Sequence, residues 1–170
     1  MAGDSPYENQ LREAKRLHSE GIEGNKRAVV AAYEKLAELR KSYPNHALIE
    51  AYYGSSLALM ARDASSLLVK EEKAREGLDA LNRAVELNPN DKEIRLLRGN
   101  VSLRLPDTFF QTARTAVEDF SFLLARQQAD PRYLTPKQTK DVINHLITAY
   151  ETIGRQDKVK EMKKLLSKRK

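Results

Sequence analysis

An all-α fold of about eight helices is predicted by three observations. Aromatic residues make up 6% of the 170 residues, with only 7 Gly and 6 Pro, which leaves little for strands and tight turns. Apolar residues recur at intervals of three and four, as in Leu36, Leu39 and Tyr43, or Leu78, Leu81 and Val85, or Ile143, Leu146, Ile147 and Tyr150. That is the period of a helix with one buried face, and no stretch alternates as a strand would. Finally, the prolines fall where helices begin or end.

Taken in order, Ser5-Pro6-Tyr7-Glu8 opens a helix over 6–20, with a capping hydroxyl, a Pro at the first helical position and a carboxylate three residues after the cap. Gly21-Ile22-Glu23-Gly24 has the spacing of a backbone-gripping GxxG loop. It lies between helices with no strand nearby, so it reads as the turn into a second helix over 26–42. Pro44-Asn45 separates that helix from one over 46–62. The stretch 61–73 (ARDASSLLVKEEK) is an insertion, either extended helix or loop, before a helix over 67–88. Asn90 with Glu93 opens 91–105, and Thr108 with Gln111 opens 108–128 just after Leu105-Pro106. Thr135-Pro136-Lys137-Gln138 repeats the capping box for 136–153, and Gly154 separates it from a last helix over 155–168. Short connections between helices favour antiparallel neighbours.

Composition narrows the function. With no Cys, disulfides, thiolate metal sites and cysteine nucleophiles are excluded together. No stretch approaches the roughly 20 apolar residues of a membrane span, and MAGDSPYENQ lacks a basic then apolar signal pattern. A cytoplasmic protein is the expectation. The net charge of +6 is local: residues 158–170 hold seven Lys or Arg against one Glu, and the other 157 residues are neutral. A basic face along the whole fold is therefore not expected.

The chain repeats itself. PNHALIEAYYGSSLALM from Pro44 aligns with PNDKEIRLLRGNVSLRL from Pro89 at an offset of 45, matching Pro44 to Pro89, Asn45 to Asn90, Ile49 to Ile94 and Gly54 to Gly99. A mid-helix Gly costs about 1 kcal/mol relative to Ala, so its recurrence points to the close approach of a neighbouring helix backbone.

GLDALNRAVELNPND followed by KEIRLLRGN resembles a tetratricopeptide repeat: the second helix of one unit, its Pro-containing turn and the first helix of the next. In family terms Gly54 and Gly99 match the small residue of the first helix. Ala32, Gly77 and Ala116 match the small residue opening the second, Leu39, Ala84 and Leu123 its later small or apolar position, and Pro44 and Pro89 the terminal Pro. AYETIGRQDKVKEMKKLL resembles the same unit, so residues 28–168 are covered. The resemblance implies one domain over 1–170, a right-handed α-solenoid of four antiparallel hairpins in units of about 6–44, 45–89, 90–131 and 135–168, with 158–170 a basic capping tail. Its repeat of 45 residues is longer than the family's roughly 34. In the third unit Arg95, Arg98 and Ser102 occupy positions the family fills with large apolar residues. Either that helix is rotated, or the arginines face the partner groove.

No arrangement of catalytic residues emerges. His18, His46 and His145 belong to no metal motif. Asp141 and His145, four apart, share a helix face, as a weak metal pair or a solvated i,i+4 pair would. Asn100-Val101-Ser102 fits the glycosylation sequon but falls inside a helix. Tyr52 and Tyr53 with Arg95 and Arg98 have two readings. In one, a Tyr packs in the core while the arginines lie over apolar surface; in the other, Tyr53, Arg95 and Arg98 are hot spots of a binding surface. Phe109, Phe110, Phe120 and Phe122 are either core or binding surface.

A non-enzymatic scaffold or adaptor is thus expected, without cofactor or metal, docking a helix or peptide of a partner protein in a concave groove. The resemblance implies groove side chains at Ala51, Ser55 and Ala58, at Leu96, Asn100 and Leu103, and at Asn144 and Thr148. Family members that grip a partner's C-terminal carboxylate carry Lys, Asn and Arg there. Ala51, Ser55 and Leu96 stand in their place, which disfavours that mode and suits an apolar or helical ligand. The alternative is a binder of nucleic acid or an anionic surface such as a membrane through the basic tail. The tail's apolar face of Val159, Met162, Leu165 and Leu166 also suits a helix that seals the end of a stack. Self-association between end helices is a further possibility.

Overall fold

The computed structural model describes residues 6–169, and these form nine helices and no strand. They are α1 (Pro6–Ile22), α2 (Lys26–Ser42), α3 (Ala47–Asp63), α4 (Leu67–Leu87), α5 (Lys92–Arg104), α6 (Asp107–Phe110), α7 (Ala113–Ala129), α8 (Pro136–Thr152) and α9 (Gln156–Ser167). None of them is long and apolar enough to cross a membrane. The chain divides into two compact units, one up to Leu97 and one from Arg98 onward, with the division inside α5.

In the first unit, α1 packs on α2, α2 on α3 and α3 on α4. Leu11, Ala14, Ala32, Leu36, Leu39, Ile49 and Tyr52 form its core, with Tyr7, Leu17, Leu48, Tyr53 and Leu97 packed around it. The backbones of α3 and α4 approach closely. A Cβ built on Gly54 would stand 2.7 Å from the Gly77 carbonyl oxygen, and one on Gly77 would stand 2.7 Å from that of Gly54. Both glycines are therefore required by the backbone approach that the repeat of Gly54 suggests. The insertion resolves into helix on both sides of a short link, 64–66, which α4 opens with Ser66 accepting from the Val69 N–H at 3.5 Å. Lys70 closes the end of α3, donating to the Ala61 and Arg62 carbonyls at 3.3 and 2.9 Å.

In the second unit, α7 packs on α8 and α8 on α9. Phe120, Leu123, Ile143 and Leu146 are fully buried, and Val159 and Met162 hold α9 in place. Gly99 plays a different part from Gly54: its added Cβ would meet the Phe120 ring at 2.9 Å, so it makes room for an aromatic side chain and not for a backbone.

Two of the expected helix starts differ from the sequence reading. The helix expected over 108–128 is broken, because Gln111 adopts a left-handed conformation (φ 54°) that ends α6. Thr108 and Gln111 make no capping box. The Asp107 carboxylate accepts from the Ala113 N–H at 2.8 Å and starts α7, while the Thr112 hydroxyl donates to the Ser102 carbonyl at 2.8 Å. Asp91, and not Asn90, caps α5 by accepting from the Ile94 N–H at 2.9 Å. The Thr135–Gln138 box forms in both directions, at 3.0 Å each. Ser5, the expected cap of α1, lies outside the described residues. Gly154 adopts a positive φ of 75°, as a turn between helices needs.

Candidate functional site

The residues expected to line one groove are placed in very different surroundings. Ala51 and Ser55 on α3 are buried, and neither offers its side chain to a ligand; this corrects their assignment as groove lining. Ser55 is covered from α1. His18 Nε2 meets Ser55 Oγ at 2.7 Å, and the His18 ring stands edge-on to Tyr52 at 5.1 Å between centroids. The Lys15 ammonium lies 5.3 Å from the Tyr52 ring centroid and pairs with Glu93 at 2.9 Å. The Tyr52 hydroxyl donates to the same Glu93 carboxylate. Three helices of the first unit thus meet over the α3 face through Lys15, His18, Tyr52, Ser55 and Glu93. Burial lowers the His18 pKa to about 4 and pushes the Tyr52 hydroxyl well above its ordinary range, with the Glu93 hydrogen bond adding to the latter. His18 is therefore neutral at pH 7, and the cluster carries one balanced ion pair.

Arg95 and Arg98 do not face a groove either. Both are buried: Arg95 donates to the Pro89 carbonyl at 2.9 Å, and Arg98 makes a two-pronged pair with Asp119 of α7 at 2.8 Å per bond. The Arg98 guanidinium also lies 3.3 Å from Glu118. Arg95, Arg98 and Ser102 are buried together with Ile94 and Val101 on the same helix, so neither arginine lies open to a partner. Tyr53 is half-buried, stacked on Tyr33 at 5.6 Å with the Arg40 guanidinium 4.6 Å over its ring. Of the phenylalanines, Phe120 is core, Phe122 is half-buried with Arg126 5.1 Å over its ring, and Phe109 is 58% exposed beside Phe110. The break at Gln111 separates Phe109 from the stripe of Phe120 and Leu123.

The accessible part of the expected groove lies on other residues. In the second unit Asn100 and Leu103 on α5 are half-buried, and Asn144 and Thr148 on α8 are exposed. The Thr148 hydroxyl donates back to the Asn144 carbonyl at 3.3 Å. In the first unit Ala58 and Leu96 are half-buried. Asn100, Leu103, Asn144 and Thr148 carry no charge, so a partner meeting them pays no ion-pair desolvation.

Between Asn144 and Thr148, His145 packs on Phe120 with ring centroids 4.9 Å apart, and its buried Nδ1 has no hydrogen-bond partner among the described residues. Burial lowers its pKa, and the nearby Arg104 acts in the same direction while Asp141 opposes both. Asp141 itself accepts from Lys137 at 2.9 Å. No group of three or more metal-ligating side chains occurs among the described residues.

Sequence reasoning missed Lys15, Glu93 and Glu50. Glu50 is 1% exposed and is paired by Arg40 at 2.7 Å and Arg83 at 3.2 Å. Its position inside an otherwise apolar helical turn, LIEAYY, was the available signal. Lys15 and Glu93 are 78 residues apart and gave none. No family model matches this chain, and no curated protein matches it.

Proposed function

We propose that the chain is a non-enzymatic interaction module of the tetratricopeptide type, its antiparallel hairpins arranged as a right-handed solenoid, which docks a helix or peptide of a partner protein. The observation that carries the reading is the exposure of Asn144 and Thr148 and the partial exposure of Asn100 and Leu103. Uncharged, these side chains occupy positions where the repeat resemblance puts ligand contacts. Ala51 and Ser55, which the same resemblance nominates, are buried, so docking is assigned to the second unit, where all four nominated side chains keep some exposure. The absence of Lys, Asn and Arg at the three clamp positions favours a ligand recognised by an apolar stripe over one recognised by its terminal carboxylate.

Affinity capture from native extract tests this, with the unaltered chain beside Asn144→Arg plus Thr148→Glu. Both substitutions sit on the exposed side of α8 and leave the core alone. The expected result is loss of one specific protein in the variant with helicity unchanged; retention of every captured protein would refute the assignment of docking to this face.

A further inference from the structure

A second binding face, independent of the first, lies on α9. Its apolar side is already used: Val159 and Met162 are buried, and Leu165 and Leu166 are half-buried. The rest of the helix and its end present Lys160, Lys163, Lys164, Lys168 and Arg169, all exposed. Lys160, Lys164 and Lys168 follow one another at i, i+4 and i+8, which places them in a single row about 12 Å long, with Lys163 beside it. None of these five side chains forms an ion pair among the described residues, whereas both acids of α9 are paired, Asp157 with Arg155 at 2.8 Å and Glu161 with Lys158 at 3.2 Å. Several cations elsewhere in this protein are answered by a carboxylate, as Lys15 is by Glu93, Arg98 by Asp119 and Lys137 by Asp141. The α9 row is not.

We infer that this row is a docking face for the phosphate backbone of a duplex nucleic acid, bound without sequence preference. Three features select that partner. With the apolar side of α9 packed inside, nothing on the row can enter a bilayer, and stable membrane attachment needs a second signal besides basic charge. No aromatic residue lies between 156 and 169, so the stacking platform used for single strands is missing. What is left is charge alone, and a duplex is the partner dense enough to answer it: about 12 Å of duplex axis carries about 7 phosphate charges. The row offers lysine point charges, and contacts from such groups to phosphates carry no sequence information.

The test uses the full chain and three probes: a 30-base-pair DNA duplex of mixed sequence, a single strand of the same length, and vesicles containing about a third phosphatidylserine. Duplex binding is followed by fluorescence anisotropy from 50 to 200 mM salt. With about five phosphate contacts, affinity is expected to fall about 500-fold over that range. The triple variant Lys160→Gln, Lys164→Gln, Lys168→Gln is expected to bind more weakly at 50 mM and to fall only about 12-fold. Gln keeps helix propensity close to that of Lys, and circular dichroism checks that α9 persists. A control, Lys26→Gln, Arg27→Gln, Lys41→Gln, removes the same charge from α2 and should bind as the unaltered chain does. An equal loss in the control, no duplex binding at 50 mM, or preference for the vesicles or the single strand would each overturn the inference.

Discussion

Two buried charges and two glycines set the energetics at the level of single residues. Asp119 is completely buried, and its carboxylate is answered by Arg98. Arg98→Ala leaves that charge without its guanidinium, which typically costs about 3–5 kcal/mol. Urea denaturation should show a loss of that size, with much of it recovered in Arg98→Met plus Asp119→Leu, where both charges go. Gly54→Ala drives a methyl toward the Gly77 carbonyl. Overpacking of about 1–3 kcal/mol should outweigh the roughly 1 kcal/mol gained in helix propensity, so net destabilisation is expected. His18 sets a pH dependence. Its pKa of about 4 in the folded chain lies below the ordinary 6.5, so the unfolded state binds more protons between those values and stability falls as pH drops from 6.5 toward 4. The effect is at most about 3 kcal/mol. Melting temperatures at pH 7 and pH 5 should show His18→Leu with a smaller decline than the unaltered chain.

The helices themselves were largely legible, because a 3.6-residue apolar period and a Pro capping box are local signals that local chemistry decides. Thr135–Gln138 formed as expected for that reason. Where two nearby residues competed for one role, the sequence could not choose: Asp91 took the cap from Asn90, and Asp107 started α7 by reaching six residues ahead to Ala113. Gln111 is the clearest case. Nothing in TFFQTA announces a left-handed residue, and a Gln there is disfavoured on steric grounds. Gln111→Gly should therefore stabilise the chain by about 0.5–1 kcal/mol, measurable as a raised urea midpoint with an unchanged slope. The α3–α4 pair shows the opposite economy. Leu67 and Leu68 stand 82% and 75% exposed at the start of α4, so Leu67→Ser plus Leu68→Ser is expected to leave stability nearly unchanged.

At the scale of the molecule, charge and burial separate what the sequence treated together. The body of the chain is neutral and the surplus is confined to residues 158–170, and that much composition alone revealed. Which groove positions stay open was not legible, because burial is set between residues far apart in sequence, as where His18 meets Ser55, 37 residues away, and Lys15 meets Glu93, 78 residues away, beside Tyr52. Equally hidden was the use of Arg98, for which the sequence allowed either a binding hot spot or a cover over apolar surface, and whose partner Asp119 lies 21 residues away. The docking face we propose is the α8 side carrying Asn144 and Thr148, which is exposed. A photoreactive residue placed at Thr148 tests it most directly, beside the same residue placed at the exposed Glu34 of α2. The account expects crosslinking in native extract to one protein from position 148 and not from position 34. The same products from both positions, or none from 148, would contradict it.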